Sequence, residues 1–215
     1  MTHSKHHRPH PADPFVDCAA CTASQRCWEG TIAADSGFSV RRRAILDKGT
    51  RLFEQGERFT TLHILVSGCV KLFEANEEGA ERLASICFPG ELLGVEGWAH
   101  GRHPYTAVVA ARTKVCRLQW PHVQTRAPSN ALHEQLLRKT AAQLTRATHV
   151  WANLPAVERV AAFLSHFARH SQLSGKLPLT RAEIGSLLGL AEETVVRAIA
   201  RLRGQGALDL DTIGA

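Results

Sequence analysis

Between Thr50 and Trp120, short apolar stretches alternate with turn-forming residues. Four segments have the length and composition of strands and hairpins: TRLFEQGE, LHILVSGCVKLFEA, ERLASICFPGELLG and YTAVVAARTKVCRLQW. Turn residues such as the Pro89-Gly90 pair lie between or within them. Strands at this spacing are typical of a small antiparallel sandwich or barrel. The pattern therefore predicts an all-β domain in this part of the chain.

A long segment without proline or glycine follows, from Ser129 to Asn153. Within it Leu137, Leu144 and Trp151 recur every seven residues, as the apolar seam of a helix pair requires. Such a stripe could also pack on the chain's own β domain, but about three heptads on an otherwise polar helix are long for that purpose. We therefore predict a helix that pairs with a second copy of the chain in a parallel homodimer.

The stretch LPLTRAEIGSLLGLAEETVVRAIARLRGQGAL, residues 177–208, predicts two short helices. Thr180, followed three residues later by Glu183, has the signature of a capping box, which marks a helix start. Gly189 is placed to end that helix, and a second helix is expected from about Glu192. Two short helices joined by a tight turn are typical of the helix-turn-helix, whose second helix enters the DNA major groove.

The second predicted helix has two different faces. Val195, Ile199 and Leu202 are spaced for burial on one of them. The opposite face carries Glu193, Val196, Arg197 and, one turn on, Arg201. Arginine can bond a guanine through O6 and N7, and glutamate can accept from a cytosine amino group, so this face could read a G·C step. Arg181, in the first turn of the preceding helix, is better placed for a phosphate. Helix-turn-helix shapes also occur as plain structural units, but these features together favour DNA binding.

Composition narrows the class of protein. The chain has 215 residues, a net charge of +6 and a pI near 9.3, which favour an anionic partner. No apolar run approaches the roughly 18 residues of a membrane span, and the N-terminus MTHSKHHRPHP lacks the apolar core of a signal peptide. We therefore expect a cytoplasmic protein with no membrane partner. An enzyme is not expected, since the chain has no glycine-rich nucleotide loop and no paired carboxylates in an apolar setting.

Three of the six cysteines, Cys18, Cys21 and Cys27, lie together in VDCAACTASQRCWEG. In a reducing cytoplasm, clustered thiols indicate a metal site or redox chemistry rather than a disulfide framework. An iron–sulfur cluster takes four thiolates, zinc also accepts four, and a thiol–disulfide switch needs no metal. Spacing alone does not identify a fourth ligand, since three further cysteines lie in the predicted β region.

The order of a β domain, a seam helix and a C-terminal helix-turn-helix resembles the Crp/Fnr superfamily of bacterial transcription regulators. The resemblance rests on LFEQGE, LVSGCVKLFEANEEGAERLASICFPGELLG and LTRAEIGSLLGLAEETVVRAIARL. It implies an α+β architecture with a cyclic-nucleotide-binding-like β-roll, a long dimerisation helix and a winged helix-turn-helix. The implied divisions are a flexible tail and cysteine loop at 1–30, the β-roll at 31–125, the dimerisation helix at 126–153 and the DNA-binding domain at 154–215.

The resemblance also implies partners and contacts. The family's E-x-x-x-R base-reading pair falls on Glu193 and Arg197, with Thr180, Arg181 and Val196 beside it. The implied partners are double-stranded DNA with an inverted-repeat site, a second copy of the chain and RNA polymerase.

A bound cyclic nucleotide is not expected. In the cyclic-AMP branch a glutamate holds the ribose and an Arg-Ser or Arg-Thr pair holds the phosphate, but Val95 and Tyr105-Thr106 stand at these positions. No cation is therefore present for the phosphate and no carboxylate for the ribose.

The Fnr branch has an N-terminal C-x2-C-x5-C cluster and one remote cysteine, which together hold an oxygen-labile 4Fe–4S cluster. Cys18, Cys21 and Cys27 match the first three positions, and Cys116 in TKVCRLQW matches the remote one. The resemblance implies a sensor in which the intact cluster supports dimerisation and DNA binding, and oxygen removes that support. The alternative is a zinc-stabilised or thiol-redox DNA-binding regulator.

Overall fold

The computed structural model describes residues 41–120, six helical positions between residues 134 and 144, residues 153–170 and residues 177–206. The described residues do not include Cys18, Cys21, Cys27 or Trp151, nor residues 207–215, where the wing implied by the resemblance would fall. The strands are β1 (Arg41–Leu46), β2 (Arg51–Phe53), β3 (Thr61–Ser67), β4 (Val70–Ala75), β5 (Glu81–Cys87), β6 (Leu92–Leu93), β7 (Thr106–Val109) and β8 (Thr113–Gln119). The helices are α1 (Val95–His100), α2 (Ala156–His170), α3 (Arg181–Leu188) and α4 (Glu192–Gly204).

The strands form two four-stranded sheets in which neighbours run antiparallel. The first sheet has the order β1-β8-β3-β6 and the second has the order β2-β7-β4-β5. An apolar layer lies between them, with Leu65 and Val115 from the first sheet and Leu72 and Val109 from the second. The predicted antiparallel β domain is therefore confirmed, and with the helices that follow it the chain has the expected α+β architecture.

The first sheet also has an apolar outer face. Along β8, Val115 belongs to the layer between the sheets, while Cys116 and Leu118 belong to a separate buried cluster with Leu62 and Ile64 of β3. Successive strand residues point to opposite faces of a sheet, which explains this alternation. Cys116 therefore lies on the side of the sheet that faces away from the second sheet.

The expectation of a purely β domain is wrong at α1, a short helix between β6 and β7. Glycines with left-handed backbone angles bound it, Gly94 at φ 87° and Gly101 at φ 69°. Inside the helix, a Cβ atom on Gly97 would lie 2.9 Å from Nδ1 of His103, so only glycine leaves room for this buried side chain. Strand periodicity does not reveal such a helix, because a tertiary contact and two glycines determine it.

Strand β1 was not among the predicted segments, since its sequence RRRAIL begins with three arginines. It forms because β8 provides a partner, with Arg41 opposite Leu118 and Leu46 opposite Thr113. The strand therefore owes its existence to a pairing with residues about seventy positions away, and local composition does not encode it.

The C-terminal part contains α2, α3 and α4, and the two helices predicted within residues 177–208 are α3 and α4. Its core is formed by apolar side chains from all three helices, with Phe163 from α2, Ile184 from α3, and Val195 and Ile199 from α4 buried. Before this part, the described positions 134, 137, 138, 140, 141 and 144 are helical. Leu137 and Leu144 are 71% and 62% exposed, so the chain's own β domain does not cover them.

Candidate DNA-binding surface and cysteine positions

Helix α3 begins at the predicted capping box. The backbone N–H of Glu183 donates to Oγ1 of Thr180 at 3.1 Å, and the backbone N–H of Thr180 donates to Oε2 of Glu183 at 2.7 Å. Two N–H groups that have no partner within the helix are thereby satisfied. The start of α3, and with it the position of Arg181, is therefore fixed by local hydrogen bonds.

The turn between α3 and α4 is three residues long and tightly packed. Gly189 ends α3 with φ 63°, and the N–H of Leu190 donates to the carbonyl oxygen of Gly185 at 2.9 Å. A Cβ atom on Gly185 would lie 2.5 Å from the carbonyl oxygen of Leu190. Because backbone meets backbone here, the angle between the two helices depends on a glycine at this position.

Helix α4 separates its two faces as predicted. Val195, Ile199 and Leu202 are buried in the helical core. The side chains of Arg197 and Glu193 are 69% and 78% exposed and form an ion pair at 3.1 Å. Exposed ion pairs of this kind contribute about 0–1 kcal/mol, so exchanging the partner for a base edge costs little. The outer face therefore presents one donor and one acceptor group that remain available to DNA.

The other residues predicted to contact DNA lie beside this pair. Val196 is an exposed apolar side chain next to Arg197, and Arg181 is partly exposed in the first turn of α3. The hydroxyl oxygen of Thr180 accepts the capping hydrogen bond of α3, and its O–H group can still donate a second hydrogen bond. From the sequence, Glu183 was expected only to cap α3, but its carboxylate also contacts Nζ of Lys71 on β4, which no local spacing indicates.

The described cysteines lie in three different environments. Cys69, Cys87 and Cys116 are free thiols and all are buried. Burial raises the pKa of the Cys69 thiol to about 12 and raises the pKa of Cys87 well above its usual value. Cys87 lies in the layer between the two sheets, Cys69 lies in the cluster shared with the helical part, and Cys116 lies on the outer face of the first sheet. Burial alone therefore does not distinguish them, but location does.

Within the described residues, no group of three or more His, Cys, Asp or Glu side chains could hold a metal ion. Three of the four predicted cysteine ligands lie outside that part of the chain.

Val95, Tyr105 and Thr106 stand at the positions that bind the nucleotide in the cyclic-AMP branch, and here they make other contacts. Val95 is buried in the apolar cluster of the first sheet's outer face, and Oγ1 of Thr106 accepts a hydrogen bond from the N–H of Gln55 at 3.1 Å. Burial raises the pKa of the Tyr105 phenol, nearby Glu74 and Glu96 raise it further, and Arg82 lowers it.

Comparison with known proteins agrees with this description. The cyclic nucleotide-binding domain family matches residues 44–126, and the Crp-like helix-turn-helix domain family matches residues 158–214. The transcriptional activator protein FnrA of Stutzerimonas stutzeri is 31% identical over 193 residues, covering 81% of this chain and 79% of that protein. The anaerobic regulatory protein of Pasteurella multocida is 26% identical over 211 residues, covering 91% of this chain and 77% of that protein.

Among solved structures, FixK2 from Bradyrhizobium japonicum is similar with a TM-score of 0.67 and 26% identity, covering 82% of this chain and 90% of that one. A β-roll followed by a helix-turn-helix, each matching its family model, defines a DNA-binding transcription regulator. The chain belongs to the Crp/Fnr family of these regulators, whose members bind DNA and are typically dimers. Like its relatives, it is a transcription regulator and not an enzyme. No helix in the described ranges is long and apolar enough to cross a membrane.

Proposed function

We propose that this chain is an oxygen-responsive regulator of the Fnr type, in which Cys18, Cys21, Cys27 and Cys116 hold a 4Fe–4S cluster. The observation that carries the proposal is the place of Cys116. It lies on β8 directly opposite Arg43 of β1, the strand that follows the cysteine-rich segment in the sequence. Cys27 precedes Arg43 by 16 residues, and an extended chain covers about 3.3–3.6 Å per residue, so the N-terminal thiols can reach this sheet.

The other two described cysteines are worse placed. Cys87 is enclosed between the sheets with Leu72 and Val109, where three further thiolates would have to replace core side chains. Cys69 lies next to the helical part and not beside β1. Among the described cysteines, Cys116 alone lies on the outer face of the first sheet and opposite β1, the strand that follows the N-terminal segment.

The donor set fits an iron–sulfur cluster. Four thiolates are the usual ligands of such a cluster, and the aliphatic side chains around Cys116 restrict the access of water to it. When bound, the cluster supplies the sensitivity to oxygen. The names of the relatives, an anaerobic regulatory protein and an Fnr-type activator, support the same assignment.

The chain's own residues would carry out the remaining steps. The four cysteines tie the N-terminal segment to β8, and the stripe of Leu137, Leu144 and Trp151 pairs with a second copy. In the dimer, two copies of α4 present Glu193, Val196 and Arg197 to an inverted-repeat site about one helical turn apart. Arg181 contacts a phosphate, and RNA polymerase is the further partner. We place this protein in the cytoplasm. Its proposed divisions are the tail and cysteine loop at 1–30, the β-roll at 31–125, the dimerisation helix at 126–153 and the DNA-binding domain at 154–215.

Anaerobic purification tests the cluster directly. We expect a brown protein with about four iron and four acid-labile sulfide per chain. Replacing Cys18, Cys21, Cys27 or Cys116 by serine should abolish the chromophore, while the matched controls Cys69→Ser and Cys87→Ser should keep it. Zinc without sulfide would replace the proposal by a zinc-stabilised regulator. Loss of colour in Cys87→Ser but not in Cys116→Ser would contradict the assigned fourth ligand.

The dimer has its own test. Leu144→Glu places a charge in the proposed seam and should leave the cluster in place while keeping the protein monomeric. Light scattering of the anaerobic protein measures this, with Arg138→Glu, an exposed site outside the apolar stripe, as the control. An unchanged dimer in Leu144→Glu would show that the copies associate elsewhere.

A further inference from the structure

A largely buried ion pair joins the β-roll to the helix-turn-helix. Nζ of Lys71, on β4, lies 2.7 Å from Oε1 and 2.7 Å from Oε2 of Glu183, on α3. The two side chains are only 13% and 18% exposed. Charged groups hydrogen-bonded in such a setting interact more strongly than at the surface, and removing one partner leaves the other charge uncompensated. The pair therefore favours one placement of α3 on β4.

The carboxylate in this pair is the one that starts helix α3. Oε2 of Glu183 accepts from both Lys71 and the backbone N–H of Thr180, at 2.7 Å in each case. A single side chain thus links the first turn of the helix-turn-helix to a strand of the β-roll. A movement of β4 relative to α3 would have to break the ion pair or disturb the cap.

The contact around the ion pair has a polar and an apolar part. Oγ of Ser186 donates to the carbonyl oxygen of Leu83 on β5 at 2.9 Å. Phe88 packs edge-on against His166 and Phe167 of α2, with ring centroids 5.4 and 5.6 Å apart. Apolar contact is non-directional and tolerates several orientations, whereas the hydrogen bonds from Lys71 Nζ and Ser186 Oγ form only when their acceptors on the other part lie within reach.

The reading face of α4 is open in this arrangement. Glu193, Val196 and Arg197 are all exposed while the β-roll holds α3. The docked placement is therefore compatible with DNA binding and does not cover the surface that would contact bases.

We propose that Lys71 is a positioning residue for DNA binding, and that its ion pair with Glu183 holds the helix-turn-helix on the β-roll in the orientation that engages DNA. The proposal rests on DNA binding by this helix-turn-helix and does not depend on the metal at the cysteine site. A protein whose binding-competent orientation is only fractionally populated binds with an affinity reduced by that fraction. Loss of the ion pair should therefore weaken binding to matched and mismatched DNA alike.

Two variants remove the charges with little other change. Lys71→Met keeps the length of the side chain, and Glu183→Gln keeps the capping box, which accepts glutamine at this position. Arg82→Met is the matched control, because Arg82 is also a cation on the β4–β5 hairpin but pairs with Glu74 of the same hairpin. Lys71→Arg is the conservative replacement that retains the charge.

The first measurement needs no DNA. In the full-length protein, alkylation of Cys69 by iodoacetamide at pH 8, followed by peptide mass spectrometry, reports separation of the two parts, because Cys69 is buried in the cluster that they share. We expect Lys71→Met to raise its rate at least about tenfold, while Cys87, enclosed between the sheets, stays protected. Wild-type protein, Arg82→Met and Lys71→Arg should keep both thiols protected.

The second measurement is DNA affinity on matched and mismatched palindromes. We expect Lys71→Met and Glu183→Gln each to weaken binding about fivefold or more on all sequences, with unchanged discrimination, and the double variant to lose no more than either single one. Lys71→Arg should restore most of the affinity. Weaker binding with Cys69 still protected, or an unchanged affinity in Lys71→Met, would overturn the proposal. Absence of DNA binding by the wild-type protein would instead contradict the regulator function, and the alkylation result would stand by itself.

Discussion

The inner and outer surfaces of the helix-turn-helix use the same chemistry for opposite purposes. On the inner surface Glu183 pairs with Lys71 at 2.7 Å, and both side chains are largely buried. On the outer surface Glu193 pairs with Arg197 at 3.1 Å, and both side chains are largely exposed. A glutamate and a cation therefore form a lasting attachment in one place and an exchangeable contact in the other.

The difference follows from solvent and not from the residue types. An exposed pair is screened by water and is easily exchanged, whereas a buried pair is costly to break because each charge would be left without a partner. An acidic residue near the start of a DNA-binding helix thus has no fixed meaning. Its burial decides whether it is enclosed in a contact with the β-roll, as Glu183 is, or available to solvent, as Glu193 is.

The largest effect is expected from a core change on the inner side. Ile184→Ala removes a buried side chain of α3 and should lower the stability of the helical part by about 2–5 kcal/mol, since a cavity is left behind. Thermal or denaturant unfolding measures it. Ile184→Val should cost about 0.5–1.5 kcal/mol, and Val196→Ala on the exposed face should stay within about 0.5 kcal/mol. Equal costs for Ile184→Ala and Val196→Ala would abolish the distinction between the two surfaces.

The next effect concerns the outer face. Arg197→Ala should cost about 1–3 kcal/mol per half-site against the preferred base and flatten discrimination there, with no change in melting temperature. Binding curves on matched and mismatched palindromes measure this. Arg203→Ala, an exposed arginine on another side of α4, serves as the control and should leave discrimination intact. A uniform loss in Arg197→Ala would show that Glu193 or DNA shape reads the site.

A smaller effect is expected at the helix cap between the two surfaces. Thr180→Ala removes the hydroxyl that accepts from the Glu183 N–H, and should cost about 0.5–2 kcal/mol of folding stability. Thr180→Ser retains the acceptor and should cost much less. Denaturant midpoints of the three proteins give the comparison. If Thr180→Ala were as stable as the wild type, the ion pair with Lys71 would be sufficient to start α3 without the cap.

The smallest effect is a change in salt dependence. Arg181→Ala should weaken binding to all sequences about equally and lower the slope of log affinity against log salt by about 1 per half-site, as loss of one phosphate contact does. Affinity measured at several salt concentrations determines the slope. Arg169→Ala, an exposed arginine on α2, is the control. An unchanged slope in Arg181→Ala would place this side chain away from the phosphates.

Features that depend on neighbouring residues were predictable from the sequence. The capping box, the glycine that ends α3, and the buried and exposed faces of α4 all follow from spacings of three to seven residues. The β domain was recognisable from its turns and apolar runs. The reason is that helix caps and apolar periodicity involve residues within one or two helical turns of each other, so all the interacting residues are close together in the sequence.

Features that depend on distant partners were not predictable. Strand β1 forms on β8, and Lys71 meets Glu183 across 112 positions of sequence. From the local sequence alone, Lys71 would be interpreted as a solvent-exposed lysine on a strand. The three cysteines of the β region also look alike in sequence, and only the strand order separates the enclosed Cys87 from Cys116 on the outer face.

The pairing of β1 with β8 sets an order of events during synthesis. Residues 41–46 leave the ribosome before their partners at 113–118 exist, and at about 5–20 residues per second this gap lasts on the order of 4–14 seconds. During that interval the proposed N-terminal ligands are present without Cys116 or the sheet that carries it. With the proposed ligand set, loading of iron and sulfide would become possible only after β8 has been made, so a nascent chain could not mature at this site until residue 116 has been translated.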